Sequence, residues 1–534
     1  MFLLWVLLFG AGTASGLPTS DFEFGQQTPL GFGQTPKRIA IVGAGAAGIS
    51  HLKAIAELPE DIRRGWEVVA FEERHSVGGV WLPDTTTPHP PEIPETPLYP
   101  SLRTNGPHPF MTIPHVPFPP ETVLLPSHQQ VLKYHEGVVA AANVSGQIRL
   151  QHSVSEAKWV GSSTEGRWNL IIEDRARRVQ ITSQFDHLIV ATGVNHFPHY
   201  PFIKGQDDFL AANRTIVHSM YFREMSDFDG KNVVVAGGGP SGWDIVVKLA
   251  DHAKTLYWSR DTKEENPGSP NFPPVPGTTD RPRVAELTKT AVRFADDTEV
   301  NDIDVLILAT GYNIRIPFLS SGGHLEEVAR SITPVGDRLS TNMRYIRPLY
   351  EHVLSLDTSY PLGALYFNGL LTYNPTGVCT YAQALFAAYT IAEPALLQTR
   401  DELYTALLER EASTRAGGFD PAQFGHRVVP GYGGRDGTPY QDVLVQYLQK
   451  RGLAGQPGIP PSGVNFTEQW RTYGLYNSSK ILDAWKSVQG MGEEYEKEWV
   501  KGTETEEDYA DMMTKLVKWW EKENGEGGLT MDEI

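Results

Sequence analysis

The 534-residue sequence predicts an α/β fold built around two dinucleotide-binding units. The first observation is a glycine loop that occurs twice, as RIAIVGAGAAGIS at residues 38–50 and as VVVAGGGPSGWDI at residues 233–245. Each copy has a short apolar strand, a turn with G-x-G-x-x-G spacing and a helix start, which places a pyrophosphate at a helix N-terminus. The second observation is a pair of apolar strands that end in Ala-Thr-Gly, one downstream of each loop, at residues 185–193 and 302–312.

Composition and charge indicate an ordinary multidomain globular protein and exclude several functional classes. Hydrophobic residues make up 40% of the chain and charged residues 21%, and the length predicts two or three domains. The net charge of −18 argues against a nucleic-acid partner, which would need clustered Lys and Arg. Cys379 is the single cysteine, so disulfide scaffolds and multi-cysteine metal sites are excluded, and its apolar neighbours favour a buried thiol. We expect no metal site.

The N-terminus carries a signal-like segment, MFLLWVLLFGAGTASG at residues 1–16. Its apolar run is too short to span a bilayer comfortably, and the small residues that follow suit signal-peptidase cleavage. We interpret the segment as a signal peptide, with a membrane anchor as the alternative. No later segment is long and apolar enough for a stable membrane span, and we expect a lumenal or secreted protein of the secretory pathway. Four N-x-S/T sequons permit N-glycosylation and begin at Asn143, Asn213, Asn465 and Asn477.

The first glycine loop has the features of a complete dinucleotide site. After the first strand, Gly43 makes the tight turn, Gly45 lets the backbone approach a pyrophosphate, and Gly48 lets the helix pack on the strand. A second strand ends at Glu72, at the distance where an acid binds the adenosine ribose. A second glycine turn, GGVW at residues 78–81, follows. A strand–helix packing turn without a ligand is the alternative.

The second glycine loop repeats this pattern with Gly237, Gly239 and Gly242. The next strand ends in Ser259 and Arg260, at the place where the first unit has its acid. A guanidinium group there matches a 2′-phosphate, which favours NADP over NAD. An arginine that merely lies on the surface is the alternative.

Four further segments carry a resemblance to a known family. They are YPSLRTNGPHPFMTIPHVPFP at residues 99–119, LPSHQQVLKYHEGVVAA at 125–141, GALYFNGL at 363–370 and YAQALFAA at 381–388. Together with the two glycine loops they resemble the flavin-containing monooxygenases, the class B flavoprotein monooxygenases, over residues 37–393. The glycine loops alone are shared with reductases, so these four segments give the resemblance its specificity.

This resemblance implies FAD in the first unit and NADPH in the second. NADPH would deliver hydride to the flavin, and the reduced flavin would take up O2 as a hydroperoxide that inserts one oxygen atom into a small organic substrate. Asn105 is the implied catalytic residue, with its amide near the flavin and the nicotinamide end, and a turn residue before Gly106 is the alternative. The implied cofactor-binding residues are Gly43, Gly45, Gly48, Glu72, Gly78, Gly79, Val80, Trp81, Arg103, Thr104 and Gln383 around the first unit, and His218, Gly237, Gly239, Ser241, Gly242, Trp243, Asp244, Ser259 and Arg260 around the second.

One stretch departs from the family pattern. The fingerprint F-x-G-x-x-x-H-x-x-x-[YF] fits His218 and Phe222, but Phe209 is out of register and no glycine stands four residues before the histidine. Phe222 favours the monooxygenase form over Baeyer–Villiger enzymes, which would carry Trp there. The alternatives that stay open are a Baeyer–Villiger-type monooxygenase, a secreted flavin oxidase and a non-catalytic flavoprotein. A disulfide reductase would need a second cysteine.

The motifs predict how the chain is divided. We expect an FAD-binding domain in two parts, an inserted NADPH-binding domain, and a C-terminal extension that ends as an acidic surface segment with Trp519 and Trp520 as packing groups. The predicted ranges are 1–16 for the signal, 17–209 and 321–398 for the FAD domain, 210–320 for the NADPH domain and 399–534 for the extension.

The substrate is predicted only by indirect features. The signal-like segment and the aromatic, proline-rich stretch at residues 99–120, which could line a pocket for a flat apolar ligand, favour tailoring of a secreted secondary metabolite such as a fungal aromatic polyketide. The partners of such an enzyme are the small-molecule substrate and O2, with association with other secreted pathway enzymes as a further expectation.

Overall fold

The computed structural model of this chain describes residues 36–261, 272–372, 374, 376–427 and 438–524. The predicted signal segment at residues 1–16 lies outside the described residues, and so do the last ten residues of the acidic end.

The described strands fall into six sheets. In chain order they are β1 (Arg38–Val42), β2 (Glu67–Glu72), β3 (Ile148–Leu150), β4 (His152–Gly161), β5 (Gly166–Asp174), β6 (Val179–Phe185), β7 (His187–Val190), β8 (Phe197–Pro198), β9 (Thr215–His218), β10 (Asn232–Ala236), β11 (Thr255–Ser259), β12 (Thr279–Arg281), β13 (Val284–Leu287), β14 (Val292–Phe294), β15 (Glu299–Val300), β16 (Val305–Leu308), β17 (Tyr312–Asn313), β18 (Glu326–Glu327), β19 (Ser340–Thr341), β20 (Ile346–Arg347), β21 (Leu349–Tyr350), β22 (Leu354–Ser355) and β23 (Leu365–Phe367).

The described α-helices are concentrated after the second unit. In chain order they are α1 (Ala46–Glu57), α2 (Glu60–Arg63), α3 (His128–Ala141), α4 (Gln206–Ala211), α5 (Pro240–Leu249), α6 (Pro317–Ser321), α7 (Thr376–Ala392), α8 (Arg400–Ala416), α9 (Pro421–Phe424), α10 (Tyr440–Leu448), α11 (Gln469–Tyr476), α12 (Ser478–Met491), α13 (Glu493–Val500) and α14 (Glu506–Asn524).

The first unit is a seven-stranded sheet in the order β21-β22-β23-β7-β1-β2-β3. Strand β1 runs parallel to β2 and β7, and β23 runs parallel to β7. Because successive side chains of a strand point to opposite faces, Ile39 and Ile41 pack with α1 and α7, whereas Ala40 and Val42 pack with β4 and β5. The sheet therefore lies between helices and the antiparallel sheet β4–β5–β6.

The second unit repeats this architecture. Its five strands lie in the order β12-β11-β10-β16-β9, and all four pairings are parallel. Val233 and Val235 pack with α5, while Val234 and Ala236 pack with the antiparallel strands β13, β14 and β15. Each unit thus has a sheet with parallel central strands, a helix behind the glycine loop on one face and a three-stranded antiparallel sheet on the other. In the first unit, the antiparallel pairings β21–β22 and β22–β23 extend this sheet at one edge.

The second unit is inserted into the first, as the fold-class prediction requires. Strands β9 to β16 come between β7 and β23, which are neighbours in the first sheet. The chain leaves through β8 and returns through β17, and these two strands pair antiparallel. Helix α4 crosses the expected domain boundary at residue 209, and Phe209 is buried in the core of the second unit.

The segment after residue 398 packs on the first unit instead of extending away from it. Leu403 of α8 and Leu444 of α10 belong to the same core as α7. Helices α11 to α14 form a separate cluster around Trp485, which also takes in Phe110 and Leu124. Trp519 contacts Trp499 with ring centroids 5.6 Å apart, which confirms its predicted packing role. None of the helices in the described part of the chain combines the length and apolar character needed to cross a bilayer.

Candidate active site

The first glycine loop joins the end of β1 to the start of α1. Gly43 has φ +104°, and a Cβ there would lie 2.4 Å from the carbonyl oxygen of Ala191, so only glycine fits. Gly48 is buried against the Gly43 carbonyl, where it lets α1 approach β1. Gly45 is the N-cap of α1, and neither a side-chain cap nor an acid occupies the first turn. The positive end of α1 is therefore open to an anion.

The second glycine turn lies directly against the first loop. Gly78 donates its N–H to the Ala44 carbonyl at 3.0 Å, and Gly79 approaches so closely that a Cβ on Gly45 would lie 3.3 Å from its Cα. Val80 and Trp81 complete a 3₁₀ turn beside it and are half-buried.

Arg74 holds this second turn in place, and its role was missed by the sequence analysis. Its buried guanidinium donates to the carbonyl oxygens of Gly79 at 3.2 Å, Leu82 at 2.7 Å and Pro83 at 2.7 Å. Its Nε also pairs with Glu95 at 3.0 Å. The only signal in the sequence is its position two residues after Glu72, at the end of the strand.

Glu72 is buried beneath the first loop. One carboxylate oxygen accepts the N–H of Ala44 at 2.8 Å, and the other accepts the N–H of Arg74 at 2.9 Å. Burial raises the pKa of this carboxyl group, while the two backbone bonds lower it. The carboxylate thus orders the loop backbone, and its predicted contact with an adenosine ribose stays a prediction.

Asn105 lies on an exposed part of the segment that follows Arg103 and Thr104. The Arg103 guanidinium donates to the Leu125 carbonyl at 3.1 Å, and Thr104 donates its N–H to the Pro126 carbonyl at 3.0 Å. Thr104 itself is buried, and its hydroxyl donates to the Gly106 carbonyl at 2.9 Å, so the backbone is held on both sides of Asn105.

Gln383 is buried in α7, the helix that packs on α1. Its Oε1 accepts the N–H of Gly369 at 3.2 Å, and its Nε2 donates to the hydroxyl of Tyr440 at 3.0 Å. Tyr440 is a partner that sequence reasoning missed, because it lies in the C-terminal extension outside the recognised motifs. Cys379 of the same helix is buried as expected, and burial raises the pKa of its thiol.

The second glycine loop leaves more open space than the first. Gly237 has φ +133°, and a Cβ there would lie 2.2 Å from the carbonyl oxygen of Ala309. Gly242 packs on the Gly237 carbonyl in the same way that Gly48 packs on Gly43. Gly239, the N-cap of α5, has no heavy atom within 4 Å of its Cβ position and no side-chain cap. The end of α5 is therefore open to an anion.

Besides Gly242, the start of α5 carries three predicted cofactor-binding residues with side chains. Ser241 is exposed. Trp243 stacks on Phe272 with ring centroids 5.2 Å apart, and the Nζ of Lys486 lies 5.2 Å from its ring centroid. Burial raises the pKa of Asp244 to about 6.

Arg260 is held by groups of its own unit. Its guanidinium donates to Asp280 and to the Phe272 carbonyl, each at 2.6 Å, and stacks 3.9 Å over the Trp258 ring. A 2′-phosphate at this position would share the guanidinium with Asp280. Ser259 is buried, and its hydroxyl donates to the Pro282 carbonyl at 2.8 Å, so this side chain links strands within the unit.

His218 has no exposed surface, and both of its ring nitrogens are used inside the protein. Nδ1 accepts the N–H of Met220 at 3.1 Å, and Nε2 donates to the Gly311 carbonyl at 3.0 Å. Burial lowers its pKa to about 4, so the ring is neutral. His218 therefore joins the end of β9 to the Ala-Thr-Gly turn, and its predicted contribution to the cofactor site is one of positioning.

The aromatic residues between positions 99 and 120 fill hydrophobic cores, so the expectation that they line a substrate pocket is wrong. Tyr99 packs edge-on against Phe222 at 5.2 Å, and Phe118 stacks on Tyr134 at 3.9 Å. Phe110 is buried in the C-terminal helical cluster. Burial of a large aromatic ring is strongly favourable, so each ring packs into the hydrophobic core nearest to it. Among the described residues, no group of three or more His, Cys, Asp or Glu converges as a metal site.

Two open helix ends, one in each of two nested units, define a flavoprotein class that binds two dinucleotides. The flavin-binding monooxygenase-like family matches residues 36–264 and 276–330, more than half of the chain, and the chain belongs to this family.

Individual proteins with monooxygenase or oxygenase activity in their names are also similar to this chain. Senecionine N-oxygenase of Tyria jacobaeae is 27% identical over 463 residues, covering 84% of this chain and 90% of that protein. Thiol-specific monooxygenase of Saccharomyces cerevisiae is 27% identical over 321 residues, covering 60% of this chain and 69% of that protein. The solved structure of S-allyl-L-cysteine S-oxygenase from Allium sativum shares the fold with a TM-score of 0.65 at 22% identity, covering 91% of this chain and 99% of that one.

The chain is thus an NADPH-dependent flavin monooxygenase whose cofactors are FAD and NADPH. The residues present fit both groups, since each glycine loop ends in a helix without a cap and each lies against a strand that turns away at Ala-Thr-Gly.

Gly239→Ala tests where NADPH binds. Because Gly239 has φ −81° and free space around its Cβ position, alanine is expected to leave folding and FAD content unchanged. The new methyl group would occupy the approach of the pyrophosphate and raise the KM for NADPH by about 5- to 150-fold, equivalent to about 1–3 kcal/mol of overpacking. Steady-state kinetics measure the KM for NADPH, and the flavin absorbance measures the FAD content. Gly237→Ala, which meets the Ala309 carbonyl, is the contrasting variant that should unfold at lower temperature.

Arg260→Ala tests the preference for NADPH. Loss of a charge-assisted bond to the 2′-phosphate should weaken NADPH binding by about 1–3 kcal/mol, which raises the KM for NADPH by about 5- to 150-fold. The KM for NADH should stay unchanged. Arg293→Ala is a matched control, since Arg293 of β14 pairs with Glu286 of β13 and Glu299 of β15, in the antiparallel sheet on the face opposite α5. Equal use of both nucleotides by the wild-type enzyme would remove Arg260 from this role.

Proposed function

We propose that this enzyme oxygenates a soft nitrogen or sulfur atom of a small organic substrate. The observation that carries the proposal is the similarity to senecionine N-oxygenase, which covers 90% of that protein and 84% of this chain and therefore includes at least part of the segment after residue 398. A thiol-specific monooxygenase among the relatives supports sulfur as the second acceptor. Phe222, in place of the Trp expected of Baeyer–Villiger enzymes, supports heteroatom oxygenation over ketone oxidation.

In the proposed mechanism, the residues of the chain bind the two cofactors, orient them and shield the site from water. When bound, NADPH supplies the hydride and FAD supplies the activation of O2. The open ends of α1 and α5 hold the two pyrophosphates, and Arg260 selects the phosphorylated ribose. The amide of Asn105 would donate a hydrogen bond at the flavin, where oxygen activation needs a fixed donor and exclusion of water. Arg74 and Glu72 keep the two glycine turns around the flavin dinucleotide in register.

Tailoring of a secreted aromatic metabolite such as a polyketide is a second, finer proposal. It is motivated by the signal-like segment at residues 1–16, which also motivates the proposed location in the lumen of the secretory pathway or outside the cell. Association with other enzymes of such a pathway belongs to the same proposal. The aromatic stretch at residues 99–120 no longer supports it, because its rings are buried.

A substrate panel decides between these proposals. NADPH-dependent O2 uptake, product and hydrogen peroxide would be measured with tertiary amines, thioethers, cyclic ketones and phenolic polyketides. Coupled turnover of amines or thioethers supports heteroatom oxygenation. Coupled turnover of polyketides alone, or of cyclic ketones alone, would contradict it. Peroxide production that does not depend on any substrate would identify an oxidase.

Asn105→Ala should separate flavin reduction from oxygenation. Because the pyrophosphate of NADPH would be held at the open end of α5 and not by Asn105, the variant should still oxidise NADPH at a rate within about twofold of wild type, whereas removal of one preorganised donor lowers product formation by about 10²-fold. Hydrogen peroxide should account for the difference. Ser101→Ala, an exposed position on the same segment, is the control. Wild-type coupling in Asn105→Ala would exclude Asn105 from the site.

The proposed secretory location predicts which sequons carry glycans. Asn143, Asn213 and Asn465 are exposed, whereas Asn477 is only 6% exposed and donates to the Tyr473 carbonyl at 3.0 Å. In a secreting eukaryotic host, replacement of any of the first three by Gln should remove one glycan from the mass, and Asn477→Gln should remove none. A secreted product without glycans at the three exposed sites would contradict this prediction.

A further inference from the structure

Residues of the C-terminal helices form hydrogen bonds to the segment that carries Asn105. We define the Asn105 loop as residues 104–112. Arg471 of α11 is only 2% exposed and donates through Nη1 to the Pro109 carbonyl and through Nη2 to the Thr112 hydroxyl at 2.9 Å. Thr112 in turn donates to the Pro109 carbonyl at 3.0 Å. One guanidinium therefore closes the C-terminal half of the loop into a fixed turn.

The other side of the same guanidinium is bound by acids of the C-terminal segment. Nη2 donates to Glu506, the first residue of α14, at 2.7 Å, and Nε donates to Glu468 at 2.7 Å. The group also stacks 4.3 Å over the Trp470 ring. The planar guanidinium serves these acceptors from three separate nitrogens, whereas the donors of a lysine ammonium all lie on one nitrogen.

The loop has little room to move away from Arg471. Helix α7 begins so close behind it that a Cβ on Gly377 would lie 2.2 Å from the Met111 carbonyl oxygen. The loop is also bonded to residues 122–126, since His108 donates its N–H to the Leu124 carbonyl at 3.0 Å. Residue Thr122 is held from α14, where the Tyr509 hydroxyl donates to its carbonyl at 2.9 Å. The Asn105 loop therefore packs between α7, which carries Gln383, and the C-terminal helices α11 and α14.

We propose that Arg471 is a positioning residue for oxygenation, which fixes the Asn105 loop against the flavin site from the C-terminal segment. This proposal rests on the proposed function of Asn105. It assigns the segment after residue 398 to the active-site structure, since its helices supply the outer wall of the loop. Arg471 does not touch substrate or cofactor and acts through the backbone and hydroxyl groups at positions 109 and 112.

The test compares Arg471→Lys with Lys480→Met in the full-length, FAD-loaded enzyme. Lysine keeps a positive charge near Glu506, but its single nitrogen cannot occupy the three positions from which Nε, Nη1 and Nη2 bind the two acids and the loop. Lys480 pairs with Glu521 at 2.8 Å and joins α12 to α14, so Lys480→Met loosens the same helical cluster without contacting the loop. Flavin content and melting temperature of both variants show whether each folds and holds FAD.

Arg471→Lys should keep the wild-type rate of NADPH-driven flavin reduction but yield about tenfold less product per NADPH, with hydrogen peroxide making up the difference, because a small misplacement of a donor is costly. Backbone amides of residues 104–112 should exchange with deuterium about tenfold faster, while those of α12 and α14 stay near wild type. Lys480→Met should show the reverse pattern, with faster exchange in α14 and normal coupling. Arg471→Lys added to Asn105→Ala should lower coupling no further, since both act on the same donor.

Two results would overturn the proposal: wild-type coupling and loop exchange in Arg471→Lys, or loss of coupling to the same extent in Lys480→Met. Absence of oxygenation by the wild-type enzyme across the substrate panel would count against the proposed function instead. In that case the exchange comparison still decides whether Arg471 orders the loop, because it needs no substrate.

Discussion

Both nucleotide-binding units depend on one close backbone contact, between a glycine loop and the strand that ends in Ala-Thr-Gly. The carbonyl oxygens of Ala191 and Ala309 lie where a side chain on Gly43 or Gly237 would begin, at 2.4 and 2.2 Å from the Cβ positions. Because the loop packs directly on the neighbouring strand, the helix that follows begins at the edge of the sheet. The backbone N–H groups of its first turn have no partner within the helix. The affinity for an anion therefore comes from backbone packing and needs no charged side chain in the loop.

The same contact explains how far the fold could be predicted. Strands β1, β2, β10 and β11 were predicted because their determinants are local, a short apolar run followed by a turn that only glycine can make. The antiparallel sheets β4–β6 and β13–β15 were not predicted. Strand β6 is exposed along most of its length, and β15 spans only two residues, so neither gives a strong periodic signal. Their place beneath the parallel sheets is decided by contacts that are distant in sequence.

The site shows the same division between local and distant information. Spacing after the first glycine loop pointed to Glu72, and the family resemblance pointed to Gln383 and His218, but neither gave the contacts that these residues make. Tyr440, the partner of Gln383, is 57 residues away, and Arg471 is 362 residues from Pro109. His218 was expected to bind the cofactor, yet its ring is fully used within the protein. A fingerprint shows that a residue matters without showing whether it touches the ligand.

The C-terminal segment brings together parts of the site that lie in different units. Arg471 of α11 binds the loop that presents Asn105, and Lys486 of the next helix, α12, lies over the ring of Trp243 in the first turn of α5. Tyr440 of α10 reaches Gln383 in the helix that packs on α1. In the proposed reaction, hydride transfer requires the two nucleotides to keep one relative geometry, and oxygenation requires the amide of Asn105 to stay in place. A parallel sheet alone does not fix an inserted unit against its host. Because α10 to α12 contact the host helix, the donor loop and the nucleotide helix of the inserted unit, the extension that carries no recognised motif provides a physical link among all three.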